Sequence, residues 1–331
     1  MARVLTGVTV RAVRTRATAA AGWPVLVRRL LGRLGLLAGV LAVVFAAVDL
    51  LPGSAAKGAL GADATPEAVA AKNAELGLDV AWPIRFLRWS AGLVTGDLGV
   101  SVNGQSVGEL VVAALPETLM IVGAALAITV PTSMALGAWW AVRARRPARR
   151  VVDGLTTASI AVPEFVVATL LIVVFALGLD MLPPVTTVTA SGALQSADMR
   201  VLPVLALAIP QIGWNSRVVH AAVVDHLADP HVVQATLDGI GPRTIAVRHV
   251  LPLALPTIAT SAATSTGMLV GGAVVVETVF NHPGIGNLLS SAVTAKDAVA
   301  TTAIVGLTGV LIAVILTAAD AVRLAVTGRA S

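Results

Sequence analysis

One polar segment of this chain, HVVQATLDGIGPRTIAVRHVLP (residues 231–252), lies between two strongly apolar stretches and gathers Asp238, Arg243, Arg248 and His249 around the breaks Gly239, Gly241 and Pro242. Charged groups set on either side of a glycine turn suit contact chemistry, in which a short helical element is held out to a protein partner. Two acids stand almost alone in apolar surroundings, Glu164 and Glu277. An ionisable group at membrane depth is a candidate for the translocation path. Each also has a structural reading: Glu277 can hydrogen-bond the loop around Pro283-Gly284-Ile285-Gly286, and a neutral Glu164 can fill the carbonyl gap left by Pro163. His220, His226 and His231 fall at gaps that do not share one helical face, so no metal site is expected. With no Cys, no phosphate loop of the G-x-x-x-x-G-K-[ST] type and no H-E-x-x-H, the chain has no catalytic constellation and no ATP site of its own.

The elements that must hold these residues are membrane helices. The 331 residues are 56% hydrophobic and only 12% charged, with a mean hydropathy of +0.88, far from soluble usage. Six stretches approach or exceed the roughly 20 residues a helix needs to cross a hydrocarbon core: Leu34 to Leu51, Thr118 to Val142, Gly154 to Leu179, Val201 to about Val224, Val250 to Val276, and Ala298 to Ala319. An all-α polytopic membrane protein follows. Pro131, Pro163, Pro210 and Pro256 inside spans imply a packed bundle with kinks.

Orientation is read from Lys and Arg. With a cytoplasmic N-terminus, 17 of the 23 basic residues fall on the inside and 6 on the outside, which places both termini in the cytoplasm. The net charge of +5 is thereby a topology signal facing membrane lipid, and no nucleic-acid partner is expected. The basic start followed by an apolar run mimics a signal peptide, but its length reads as a retained first helix. The expected organisation is a basic N-terminus (1–33), a first transmembrane helix (34–51), an extracytoplasmic loop with short amphipathic helices (52–117), a five-helix core (118–325) containing the cytoplasmic loop 225–250, and a tail (326–331). Within the outer loop, TPEAVAAKNAELG (65–77) offers Thr65 as an N-cap. WPIRFLRWSAGLV (82–94) spaces Trp82, Phe86 and Trp89 either for a membrane interface or for packing on the bundle.

The opening segment then lies in the cytoplasm. VVQATLD reads as a short helix starting at Asp229 or Pro230, broken by Gly239 and Gly241 and followed by a second helix from Pro242 into span five. The runs GIGPRTIAVRHVLPLALPTI and GGAVVVETVFNHPGIGNLL, with Leu50-Leu51-Pro52-Gly53, GDLGVS (96–101), Leu115-Pro116-Glu117-Thr118 and Val162-Pro163-Glu164-Phe165 in the same order, resemble the permease subunits of peptide and nickel ABC importers. The resemblance implies the type I importer permease fold, and makes the cytoplasmic segment the "EAA" coupling loop, with Ala235, Asp238, Gly239, Arg243 and His249 engaging an ATPase subunit. It further implies a second, similar permease, two cytoplasmic ATPases that hold ATP and magnesium, and an extracytoplasmic solute-binding protein. The chain departs from the pattern at Val233 and Gln234 in the loop, and at Glu164 and His282. Cargo of this family runs from dipeptides and oligopeptides to nickel chelates and glutathione-like molecules, with peptides expected here. A secondary transporter or channel would share the six helices, yet no internal repeat with matching helix breaks is seen.

Overall fold

The computed structural model describes residues 6–50, 55–61, 64–143, 146–189 and 194–327, and these are almost entirely helical. The order is α1 (Thr6–Asp49), α2 (Ala55–Leu60), α3 (Pro66–Glu75), α4 (Trp82–Val94), α5 (Val107–Arg143), α6 (Arg146–Ala161), α7 (Glu164–Leu171, wound on more widely over Ile172–Gly178), α8 (Val201–Leu227), α9 (Pro230–Leu237), α10 (Pro242–Thr244), α11 (Leu251–Val279), α12 (Ile285–Thr294) and α13 (Ala298–Thr327). Four segments are long and apolar enough to cross a membrane: Leu26–Asp49, Val107–Val142, Pro242–Val279 and Ala298–Ala318. The α6–α7 pair passes the same test as one broken span. The remaining long helix, α8, carries Arg217, His220 and Asp225 in its second half, which lowers its hydropathy, but its 27 residues span about 40 Å. Six crossings are compatible with these helices.

Two expectations change. The third span is not one helix, because Pro147–Ala161 and Glu164–Gly178 meet at 106°. The cause is local: Pro163 has no N–H to donate, its ψ of 149° is extended, and it drives Val162 out of the helical region. Helix α5 begins at Val107, eleven residues before the expected Thr118, and runs through Pro116. A single proline there costs one backbone bond, which the continuous apolar run on both sides outweighs.

The bundle is knitted at small residues. A Cβ on Gly137 of α5 would lie 2.7 Å from the Ser216 carbonyl of α8, and one on Gly213 would lie 2.9 Å from Ser159 of α6, so both crossings require glycine. One core gathers Ile121, Val167, Leu202, Leu207, Leu269 and Phe280 from α5, α7, α8 and α11. A second forms where α1, α4, α5, α12 and α13 meet, around Phe45, Trp89 and Ile304. There the aromatic stripe of α4 packs on the bundle: Phe86 meets Phe45 edge-on at 5.6 Å, and Trp89 is buried beside them. Arg85 of the same helix pairs with Asp49 at the end of α1. Midway along α1, Arg29 and Arg33 both bind Asp320 of α13, at 3.0 and 2.9 Å.

Candidate functional site

Helix α9 starts as expected, with Asp229 extended at the N-cap and Pro230 in the first turn. Its end explains Gly239. The Gly239 N–H donates to the Thr236 carbonyl at 3.1 Å and the Ile240 N–H to the Ala235 carbonyl at 3.1 Å, the pair of bonds that defines a Schellman cap. The glycine holds φ at +80°, a conformation that disfavours a side chain. The Schellman motif also places Ile240 against the turn it closes, and Ile240 packs with the apolar cluster of Val219, Val223, Val232, Ala235, Ile245 and Val250.

This cluster divides α9 into two faces. Val232 and Ala235 point inward and fix the helix on the ends of α8 and α11. Val233 and Leu237 point outward, with Leu237 76% exposed, and Val247 of the following turn is 56% exposed. Between them Gln234 donates to Asp238 at 3.0 Å, a bond on the outer face. Arg243 is exposed in the first turn after Gly241, and His249 is half-buried near the start of α11. Asp238 and Arg243 make no ion pair with each other among the described residues, and both are exposed. Thus Asp238, Gly239 and Arg243 gather on one exposed turn, Ala235 lies beneath it, and His249 stands apart at the base of α11.

The two candidate acids of the path sit elsewhere. Glu277 is wholly buried at the end of α11, and its Oε2 accepts from the Gly286 N–H at 2.6 Å. The loop is pressed onto it: a Cβ on Gly284 would fall 2.3 Å from its carboxyl carbon, and one on Gly286 would fall 2.3 Å from the Val274 Cα. Glu164 is half-buried in the first turn of α7, where the helix dipole favours an acid. Its carboxylate lies against Gly272 of α11, whose added Cβ would sit 3.4 Å from Oε1.

Around Glu277 is a polar network that the sequence did not announce. Thr118 Oγ1 accepts from the Ile285 N–H at 2.8 Å, and Arg200 grips Glu117 with two bonds, at 2.7 and 3.0 Å. His282 is fully buried, 3.3 Å from Thr186 Oγ1 and 3.4 Å from Glu117 Oε2. Burial pushes its imidazole below the usual histidine range, outweighing the attraction of Glu117. Asp297 ties the outer loop to α13, accepting from Val102 N at 2.8 Å and from Ala300 N at 2.9 Å. The only signal for Glu117, Thr118 and His282 was their place in the motifs Leu-Pro-Glu-Thr and Asn-His-Pro-Gly-Ile-Gly, and Thr186, Arg200 and Asp297 lie in neither. Among the described residues no cluster of His, Asp and Glu has metal-binding geometry.

A bundle of long apolar helices with glycine-mediated crossings is that of a polytopic membrane protein. The chain belongs to the family described as binding-protein-dependent transport system inner membrane component, whose profile matches residues 133–330, and the companion N-terminal profile matches residues 23–122. The glutathione transport system permease protein GsiC of Salmonella paratyphi A is 31% identical over 271 residues, covering 82% of this chain and 86% of that protein. GsiC of Pectobacterium atrosepticum is 31% identical over 272 residues, covering 82% and 87%. A Sinorhizobium fredii protein named "probable peptide ABC transporter permease protein y4tP" is 29% identical over 275 residues, covering 82% and 88%. This chain is therefore an ABC importer permease of the inner membrane, and ATP hydrolysis in such importers belongs to partner subunits.

Proposed function

We propose that this chain forms half of the translocation path of an ATP-driven peptide importer and is driven through α9. The observation that carries the reading is the two-faced docking helix, anchored by Val232 and Ala235 and presenting Val233 and Leu237 outward. Exposed branched side chains beside exposed polar ones are what a cleft in a soluble partner can bury. Asp238 and Arg243 supply polar contacts at its rim, and Gly239 sets the angle between α9 and the turn into α11. His249, at the base of α11, transmits the motion into the span.

In this reading both termini are cytoplasmic, a second, similar permease completes the path, and two ATPases carry ATP and magnesium. An extracytoplasmic solute-binding protein delivers the cargo. Peptides fit the names of the relatives, two of them glutathione permeases and one a peptide permease. In the same reading Glu164 and Glu277 belong to the translocation path; the position of Glu164 at the break between α6 and α7, and the bond from the Gly286 N–H to Glu277, support it.

The test is affinity purification of the tagged chain with its gene neighbours co-expressed, followed by an ATPase assay. Recovery of an ATPase with the native chain, and its loss with Gly239→Asp while the permease stays in the membrane, is the expected result. A chain that purifies without ATPase, or a variant that transports normally, would remove the assignment and favour a secondary carrier.

A further inference from the structure

Two cavities meet on the exposed side of α8. One, about 680 Å³, lies between the end of α5, α6 and α8 and is lined by Trp140, Arg149, Arg150, Asp153, Arg217 and His220 among others. The other, about 430 Å³, runs between α8 and α11 beside Trp214, Thr257, Thr260, Ser261 and Thr264. Trp214 and Val218 line both, so the two are one groove, from Thr264 midway along α11 to the arginines at the start of α6. Each compartment is of the size that holds a small ligand.

The arginine end is out of charge balance. Three guanidinium groups face one carboxylate, Asp153, which lies 3.2 Å from Arg217. Arg149 and Arg150 make no ion pair among the described residues. Trp140 stacks on His220 with ring centroids 4.0 Å apart, and its buried indole N–H meets no acceptor. A buried donor left unmatched costs on the order of 1–3 kcal/mol, so this wall is short of an anion.

The hydroxyl end has the opposite polarity. Thr260 donates to the Pro256 carbonyl at 2.9 Å, Thr264 to the Thr260 carbonyl at 3.0 Å, and Ser261 to Asn215 Oδ1 at 2.7 Å. Their hydrogens are committed, so what they offer the groove is lone pairs. Acceptors along the middle and cations at one end complement a peptide, whose backbone N–H groups donate and whose C-terminus is a carboxylate. An acyl chain would gain nothing from the hydroxyls.

We propose that Arg149 and Arg150, with the Trp140 indole, bind the C-terminal carboxylate of a peptide in this groove. The proposal rests on the reading of the chain as a peptide permease and adds the group that is recognised. The full chain in phosphatidylcholine nanodiscs is titrated with the tripeptide Ala-Ala-Ala and with its C-terminal amide, and binding is followed by saturation-transfer NMR. The acid should bind about tenfold more tightly than the amide, the worth of one charge-assisted hydrogen bond. R149Q/R150Q should erase that difference. W140F, which keeps the ring on His220 and removes only the N–H, should weaken the acid several-fold and leave the amide unchanged, and it serves if the double variant fails to fold. Equal binding of acid and amide, or a preference that survives both variants, overturns the proposal. Displacement of the acid by phosphatidylglycerol but not by added phosphatidylcholine would also overturn it, assigning the cavity to a lipid headgroup. Docking of an ATPase on α9 reads neither cavity, so failure here leaves that assignment standing and the two are separable.

Discussion

At the scale of single residues, two glycines show different reasons for the same choice. Gly239 has open space where a Cβ would go, and only its φ of +80° resists a side chain. Gly239→Ala should therefore cost about 1 kcal/mol and leave the permease folded. Gly286 has an acceptable backbone but no room, since its Cβ would strike the Val274 backbone at 2.3 Å. Gly286→Ala should cost about 3 kcal/mol or more, because a main-chain neighbour cannot step aside. Thermal unfolding of both variants in detergent checks the contrast, and similar midpoints would contradict it. The first glycine was legible in the sequence as a turn because it follows a short helical pattern. The second was legible only as part of a motif; that Glu277 is folded beneath it depends on a contact no local pattern encodes.

At the scale of elements, apolar run length located the membrane-crossing helices and misjudged where several begin or bend; α1, expected from Leu34, already winds from Thr6. Hydropathy reads a proline within an apolar run as a kink, and it carries no angle, so the 106° turn at Pro163 was invisible. The same blindness put the start of α5 at Leu-Pro-Glu-Thr, where the apolar signal strengthens, instead of at Val107. The loop between α11 and α12 illustrates what such joints hold. His282 is fully buried there, facing Glu117, Arg200 and Thr186, and its pKa is lowered mainly by burial. The unfolded chain binds a proton near the ordinary histidine pKa of about 6.5, whereas the folded chain does so only at lower pH. Stability is thus full above that pH and falls as the pH drops below it, by at most about 1.4 kcal/mol per pH unit for one proton. The melting temperature of the solubilised native chain should fall relative to that of His282→Gln as the pH drops from 7.5 to 5.5. An unchanged slope in the variant would assign the effect to another group.

At the scale of the whole molecule, the charge asymmetry and the docking helix make one joint claim. Under the proposed orientation the 231–252 segment lies on the side where a soluble ATPase could reach it, with the exposed Leu237 as the surface it would reach. The outer loop must then lie on the other side, with Glu67 exposed in the first turn of α3. The chain contains no cysteine, so single substitutions report position without background. In right-side-out vesicles a membrane-impermeant maleimide should label Glu67→Cys at once and Leu237→Cys only after the membrane is opened. The reverse pattern would invert the molecule and put α9 out of reach of any ATPase; labelling of both would mean that the segments share a face and that the crossings between them are even in number. The expected pattern requires an odd number, which single crossings by α5, the broken α6–α7 pair and α8 supply. One labelling experiment therefore tests the orientation and the parity of these crossings together: loss of any single one of the three would bring both positions to the same face.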